Sequence, residues 1–353
     1  MRSRQKKPTI YDLSMLSGHS PSTVSAVMNG TWQKRRISER TAAAIQDLAE
    51  QHAYKANRQA QGLKSSRSGL IGLLLPLYDS RFFSAMAQAF EAQVRLRGLC
   101  PVVVSGNRDP EEEHATISTL ISYSIESLFI CGATDPDGLH ELCQAAGLPH
   151  VNIDLPGTRA SSVTSDNFAG GQLLTEAIIR HFQNSGVKPP SGRELMLLGG
   201  RDDDATRERI RGFHAAKRKH LGDDPEDCVR MTSYSADNTR QALEELYAKR
   251  GRLPRALFIN SSINLEGLLR FMAEHPQVNY ADLVVGCYDY DPFASFLPFP
   301  VIMIRQNVDA MLKKAFDILD NPPERPILYR VTPELITPRT ALPGPLDVLK
   351  QFA

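Results

Sequence analysis

The chain has 353 residues, 42% of them hydrophobic and 23% charged, enough for two or three domains with their own cores. Five cysteines without CxxC pairing suggest neither a disulfide framework nor a zinc site, and the absence of an apolar signal or a membrane-length run leads us to expect a cytoplasmic protein. The net charge of +1 hides an asymmetry: residues 1–67 carry 12 Lys+Arg against 4 Asp+Glu, while the remainder carries 29 against 36. A basic head on an acidic body points to a polyanionic partner at one end only.

In chain order, Thr9 with Asp12 forms a capping box for a first helix, "IYDLSMLS", that stops near Gly18. Ser20 caps a second helix with Pro21 at its first position and with Val24, Val27 and Met28 along one stripe, and Gly30 ends it. After a basic loop, Ser38 caps a third helix with Ile45, Leu48 and Ala49 on its apolar side. Three short helices, the first two joined by a glycine turn, have helix-turn-helix form. Residues 55–68 are polar and basic with Leu63 as the one large apolar side chain, which reads as a linker that orders on binding.

From Gly69 the texture changes to apolar runs alternating with helical ones. "LIGLLLP", "CPVVVSG", "SLFICG" and "LPHVNID" form a first series, and "ELMLLGG", "CVRMTSY", "RALFINS" and "DLVVGCYD" a second. The alternation predicts two doubly wound parallel sheets. A further helical stretch at Val308–Leu319, followed by "ILYRVTPELITPR", implies that the chain passes between the lobes more than once.

The second helix is nearly uncharged although cations flank it, which is what a helix placed in the DNA major groove requires. Ser20, Ser22, Thr23, Ser25 and Asn29 offer hydroxyl or amide contacts, and Lys34, Arg35 and Arg36 offer charge-assisted bonds to phosphates. "TIYDLSMLSGHSPSTVSAVMNG…RRISERTAAAIQDLAEQHAYKANRQAQGLKSSRSGLIGLLLP" resembles the head and hinge of the LacI/GalR family of bacterial transcriptional regulators. The likeness continues through "DSRFFSAMAQAFEAQVRLRG", "VTSDNFAGG", "RERIRGF" and "VVGCYDYDPFASF…IRQN".

This resemblance implies an all-α helix-turn-helix head (1–54), a hinge (55–68) and a two-lobed, doubly wound body like periplasmic sugar-binding proteins (69–343), with a tail at 344–353. It implies a homodimeric repressor on a pseudo-palindromic operator in double-stranded DNA, without a cofactor and away from any membrane. Thr23, Ser25 and Asn29 match recurrent recognition-helix positions, and Pro21, Ser22 and Ala26 fall where members differ to choose operators. Asn57, Arg58 and Ala60 lie in the hinge, where Leu63 matches the leucine wedged into the minor groove.

For the body it implies a carbohydrate effector, a sugar or a sugar phosphate, between the lobes at the carboxyl ends of their strands. Arg209 in "RIRGF" and Asp289 in "CYD" match effector-holding residues, with Asp154, Phe82 and Ser261 beside them. An arginine and carboxylates facing one pocket suit a polyhydroxy ligand, because carboxylates accept from hydroxyls and guanidinium donates in a fork. Many members carry an Asn-Asp pair where this chain has "FINSSIN", with Ser261 and Ser262, and Cys287 replaces a usual glycine beside the cleft. The serine pair and the loop "MNGTWQKRRIS" place the chain near the fructose- and sucrose-repressor branch, with Arg207, Arg81 and Arg201 as cations for a phosphate.

Sugar-metabolising enzymes on doubly wound folds are the rival class, as is a sensor acting through a protein co-regulator. The chain contains no GxGxxG after the first strand, no GxxxxGK[ST], no GxSxG and no HExxH. "RDDDATRE" and "PEEEH" read as acidic helix starts rather than metal sites. "GPLDVLKQFA" is too short for sustained heptads, so no tetramer-forming coiled coil is expected.

Overall fold

A computed structural model describes residues 8–54, 67–222, 224–297 and 299–338. The chain divides into two compact units at Gly69. In the first, α1 (Ile10–Ser17), α2 (Pro21–Met28) and α3 (Glu39–Gln51) start where the caps are written: Thr9 and Asp12 close a reciprocal capping box, and the Ser20 and Ser38 hydroxyls accept from the amides of Thr23 and Thr41. Gly18 turns the chain after α1 at φ 68°, a backbone conformation glycine adopts without a Cβ penalty. Helices of eight residues do not persist alone. Burial of Leu13, Val24, Val27 and Ile45 holds them together, at roughly 1.5–3 kcal/mol for each side chain.

The second unit has two lobes. The first is built from β1 (Leu70–Leu75), α4 (Arg81–Leu96), β2 (Cys100–Ser105), α5 (Pro110–Ser122), β3 (Ser127–Cys131), α6 (Pro136–Ala145), β4 (His150–Ile153) and β5 (Ser162–Ser165). The second follows with α7 (Asn167–Asn184), β6 (Leu195–Leu198), α8 (Asp204–Leu221), β7 (Val229–Arg230), α9 (Ala236–Arg250), β8 (Ala256–Ile259), α10 (Ser262–Glu274), β9 (Val284–Tyr288) and β10 (Val301–Arg305). The chain then returns to the first lobe with α11 (Val308–Asp320) and β11 (Leu328–Val331), and ends the fold in the second with β12 (Glu334–Ile336).

Both sheets have six strands, in the orders β11-β5-β4-β3-β1-β2 and β12-β10-β9-β8-β6-β7. All pairings are parallel except β10 with β12. Helices cover both faces, which is why β1, β6, β8 and β9 are unbroken apolar runs. The strand order reverses beside β1 and beside β6, so each lobe opens a crevice at its strands' carboxyl ends. The expected repeated passage between lobes is present, after β5, after β10 and between β11 and β12.

The sequence pattern did not announce α7, and its neighbours show why. Gly170 and Gly171 lie inside it, each costing about 1 kcal/mol of helix propensity relative to alanine. Close approach requires them: a Cβ at Gly171 would stand 2.4 Å from the Arg209 carbonyl, and one at Gly170 2.3 Å from the Tyr288 hydroxyl. Facing them on α8, a Cβ at Gly212 would stand 2.2 Å from the Phe168 carbonyl. The two helices therefore meet backbone to backbone, and this crossing sets the position of Arg209. Gly212→Ala is expected to force them apart and to cost about 1–3 kcal/mol. A thermal melt unchanged from the parent protein would show that the contact is looser than described.

Candidate functional site

Two regions answer to the residues singled out in the sequence. In the head, α2 leaves Pro21, Ser22 and Asn29 exposed and Thr23 and Ser25 half-exposed. The hydroxyls of Ser20, Ser22 and Thr23 form one chain, with Ser20 Oγ 2.8 Å from Ser22 Oγ and 2.9 Å from Thr23 Oγ1, while Asn29 Nδ2 donates to Ser25 Oγ. Ala26 departs from expectation: it is 3% exposed and faces the helix packing, with Thr31 donating its amide to the Ala26 carbonyl at 2.9 Å. A buried methyl does not reach a base edge, so Ala26 does not belong to the reading surface. In the following loop Trp32 and Ile37 pack on the head core and hold Lys34, Arg35 and Arg36 exposed between them. Asn57, Arg58, Ala60 and Leu63 lie outside the described residues.

In the body, Phe82, Asp154, Arg209, Ser261 and Asp289 line one space between the lobes. The space measures about 20 Å³, room for a water molecule or two, so the lobes stand closed on it. Arg209, on α8, is 3% exposed. Its Nε donates to Asn167 Oδ1 at 2.9 Å, its Nη1 to the Asn260 carbonyl at 2.8 Å, and the guanidinium lies 3.7 Å from the centre of the Tyr288 ring. These bonds replace the water that a buried cation gives up.

Asp154 and Asp289 occupy corresponding places, the residues that follow β4 and β9, and both have left-handed backbones, at φ 72° and 84°. Asp289 accepts from Gln306 Nε2 at 2.7 Å. Burial raises its pKa against the opposing pull of Arg209 and that bond. Asp154 has no hydrogen bond or ion pair to its carboxylate among the described residues, and burial pushes it up to about 7 although Arg209 and Arg108 pull it down.

Ser261 lines the space, yet its hydroxyl is engaged as the cap of α10, accepting from the Asn264 amide and donating to Asn264 Oδ1 at 2.6 Å. Ser262 instead lines an outer groove with Arg81. Arg81 spans the lobes there, 3.2 Å from Asp291 and over the Phe293 ring. Neither Arg207 nor Arg201 lines the space: Arg207 is exposed on Asp202, and Arg201 is paired with Asp203, which does line it. Cys287, two residues before Asp289, does not line the space: it is fully buried within β9, in the core of the second lobe.

Arg108, Asp203 and Tyr234 line the space too and were not singled out beforehand. Arg108 and Tyr234 follow β2 and β7 and Asp203 precedes α8, places whose position at the strands' carboxyl ends was itself the available signal.

The periplasmic binding protein domain family model matches residues 71–294. The ribitol operon repressor of Klebsiella aerogenes is 44% identical over 196 residues, covering 56% of this chain and 72% of that protein. The fructose operon regulatory protein of Vibrio cholerae is 26% identical over 321 residues, covering 89% of this chain and 93% of that one. A Lac repressor dimer bound to operator and an anti-inducer superposes with a TM-score of 0.80 at 20% identity, covering 96% of this chain and all of that one. The chain belongs to the LacI/GalR family: it is a transcriptional regulator rather than an enzyme, of the kind in which a sugar effector controls repression of carbohydrate genes.

Proposed function

We propose that this regulator binds a pseudo-palindromic operator as a homodimer, reading bases with Ser20, Pro21, Ser22, Thr23, Ser25 and Asn29 of the head and phosphates with Arg35 and Arg36. The hinge residues Asn57, Arg58, Ala60 and Leu63 join this surface by the family likeness alone. A partner on DNA places the protein in the cytoplasm, and no described helix is long and apolar enough to cross a membrane. In the body, Phe293 and Phe296 are more than two-thirds exposed, an apolar surface that a second copy would cover.

The effector reading rests on one observation: Asp154 of one lobe and Arg209 and Asp289 of the other converge on a single space at the strands' carboxyl ends. Carboxylates and a guanidinium at such a place fit the hydroxyls of a carbohydrate, with Phe82 beneath its apolar face. Arg209 is bonded to Asn167 and Asp289 to Gln306, residues on the first two passages between lobes. A ligand held by these groups therefore favours one lobe arrangement over another, and operator affinity follows through that difference alone.

Three outcomes are expected. Operator affinity should fall with salt at a log-log slope of about −0.9 for each phosphate neutralised, and a single half-site should bind far more weakly. A flat response in gel-shift titrations would remove the phosphate contacts. Arg209→Ala should abolish the effect of carbohydrate on operator affinity and lower stability by about 3 kcal/mol, because it strips a buried hydrogen-bonded cation from its frame. A melt unchanged from wild type would show that Arg209 carries no such structural share.

The third concerns pH. A carboxyl whose folded pKa lies above its unfolded one binds more protons in the folded state, so its contribution to stability is present below the unfolded pKa and lost as pH rises through about 7. Asp154→Asn should therefore gain on wild type in melting temperature between about pH 4 and 7. Parallel melting curves across that range would contradict the buried, unpaired state of Asp154.

A further inference from the structure

The cysteines differ in what surrounds their sulfur. Cys100 is exposed and Cys131, Cys143 and Cys287 are buried, while Cys228 is the one that meets a side-chain amine among the described residues. It closes a short 3-10 turn, Glu226–Cys228, ahead of β7, and Lys217 reaches it from α8. Lys217 is fully buried, and its Nζ donates to Cys228 Sγ at 2.8 Å, closer than to the Leu195 carbonyl at 3.5 Å or to Asp224 Oδ1 at 3.6 Å. An ammonium taken out of water needs negative charge around it. Asp224 is shared with His214 Nδ1 at 2.6 Å and Arg218 Nη1 at 2.8 Å, so the sulfur is the nearest acceptor that Lys217 has. His214, Asp224 and Cys228 bring their ligand atoms within 4.8 Å of one another, as a metal site would, but Lys217 sets a cation of the chain itself beside both the sulfur and the carboxylate. Burial pushes the Cys228 thiol up, and the hydrogen bond and charge of Lys217 pull it down toward the thiolate.

We propose that Cys228 and Lys217 form a peroxide-modification site, at which hydrogen peroxide joins Sγ to Nζ in a sulfenamide bond. The thiolate attacks one peroxide oxygen: the S–O bond forms, the O–O bond breaks, and the departing hydroxide takes a proton from the ammonium and leaves as water. The amine so produced is already in contact with the sulfenic sulfur and attacks it. The N–S bond forms, the S–O bond breaks, and the second hydroxide leaves with an amine proton, again as water. Sulfur is oxidised by two electrons and the peroxide is reduced by two, so thiolate, ammonium and hydrogen peroxide become sulfenamide and two waters. Sulfenic acids condense with a backbone nitrogen in the same way. The pair lies about one side-chain layer below solvent: Asp224 and His214 are half-buried, Arg218 and Asp227 are exposed, and a three-residue 3-10 turn is among the elements that open most readily. Capture by nitrogen stops the sulfur at a level that thiols reverse, and it ties α8 covalently to the approach of β7 within the second lobe.

The test is peptide mapping by mass spectrometry of the full-length Cys100→Ser protein, which lacks the exposed thiol, before and after hydrogen peroxide and again after dithiothreitol. Circular dichroism establishes that the protein is folded throughout. Oxidation should yield a species lighter by two hydrogens, about 2 Da, in which the peptides holding Lys217 and Cys228 are joined and trypsin no longer cuts after Lys217. Dithiothreitol should restore both, and the oxidised protein should melt higher than the reduced one, because a covalent tie across a short loop restricts the unfolded chain. Lys217→Met keeps the length of the side chain and removes the nucleophile, so its Cys228 should be trapped by dimedone as the free sulfenic acid. Recovery of Cys228 from the oxidised, folded Cys100→Ser protein as an unmodified thiol or as sulfinic acid, with no joined peptide, overturns the inference. The same loss of two hydrogens in Lys217→Met would also overturn it, since the nitrogen would then come from elsewhere.

Discussion

A guanidinium taken out of water must find its partners in the protein, and at Arg209 that requirement shapes the region around it. Its partners come from three separate segments: Asn167 at the first passage between lobes, the Asn260 carbonyl after β8, and the Tyr288 ring at the end of β9. Bringing the arginine within reach of all three needs α8 to lie against α7 at backbone distance, which only Gly171 and Gly212 permit. Removing one partner of a buried charge costs several kcal/mol, so these segments are tied more firmly than their individual contacts suggest.

The same frame accounts for the asymmetry of the cleft. The second lobe arrives with its charges already bonded, while the first offers Arg108 and Asp154 without a hydrogen bond among the described residues. The aliphatic and aromatic walls contribute little discrimination among small polyols, whereas groups left unpaired without ligand penalise every molecule that fails to satisfy them. Arg81 on Asp291 adds a tie across the lobes at the outer groove, but with its side chain 43% exposed it is worth at most about 1 kcal/mol.

Much of this was legible in the sequence, for reasons that differ from element to element. The head was readable because its caps are local: Thr9, Ser20 and Ser38 stand one residue before their helices, and a capping bond needs nothing distant. The parallel strands were readable as apolar runs. Helix α7 was not, since its two glycines serve contacts with Tyr288 and Arg209, about 120 and about 40 positions away, that no local pattern encodes. Arg209 and Asp289 stood out through ordered family motifs, and the structure puts them in one space with Asp154. Arg108 carried no such mark, being an arginine in the polar loop "SGNRD"; its place in the lining of the space is visible only in three dimensions. Ala26 is the opposite case: the resemblance puts it among the positions that choose operators, and the loop after α2 covers its methyl.

The central claim is that a carbohydrate held between the lobes selects one lobe arrangement, and the separation of the lobes reports it directly. Spin labels at Gln144 on α6 and Lys249 on α9, both exposed and on opposite lobes, would be placed by cysteine substitution in a Cys100→Ser background that removes the exposed native thiol. The distance distribution would be recorded with and without ribitol and a pentitol monophosphate. The account predicts that whichever ligand binds narrows the distribution toward the short separation. A ligand that binds by calorimetry and leaves the distribution unchanged would contradict it.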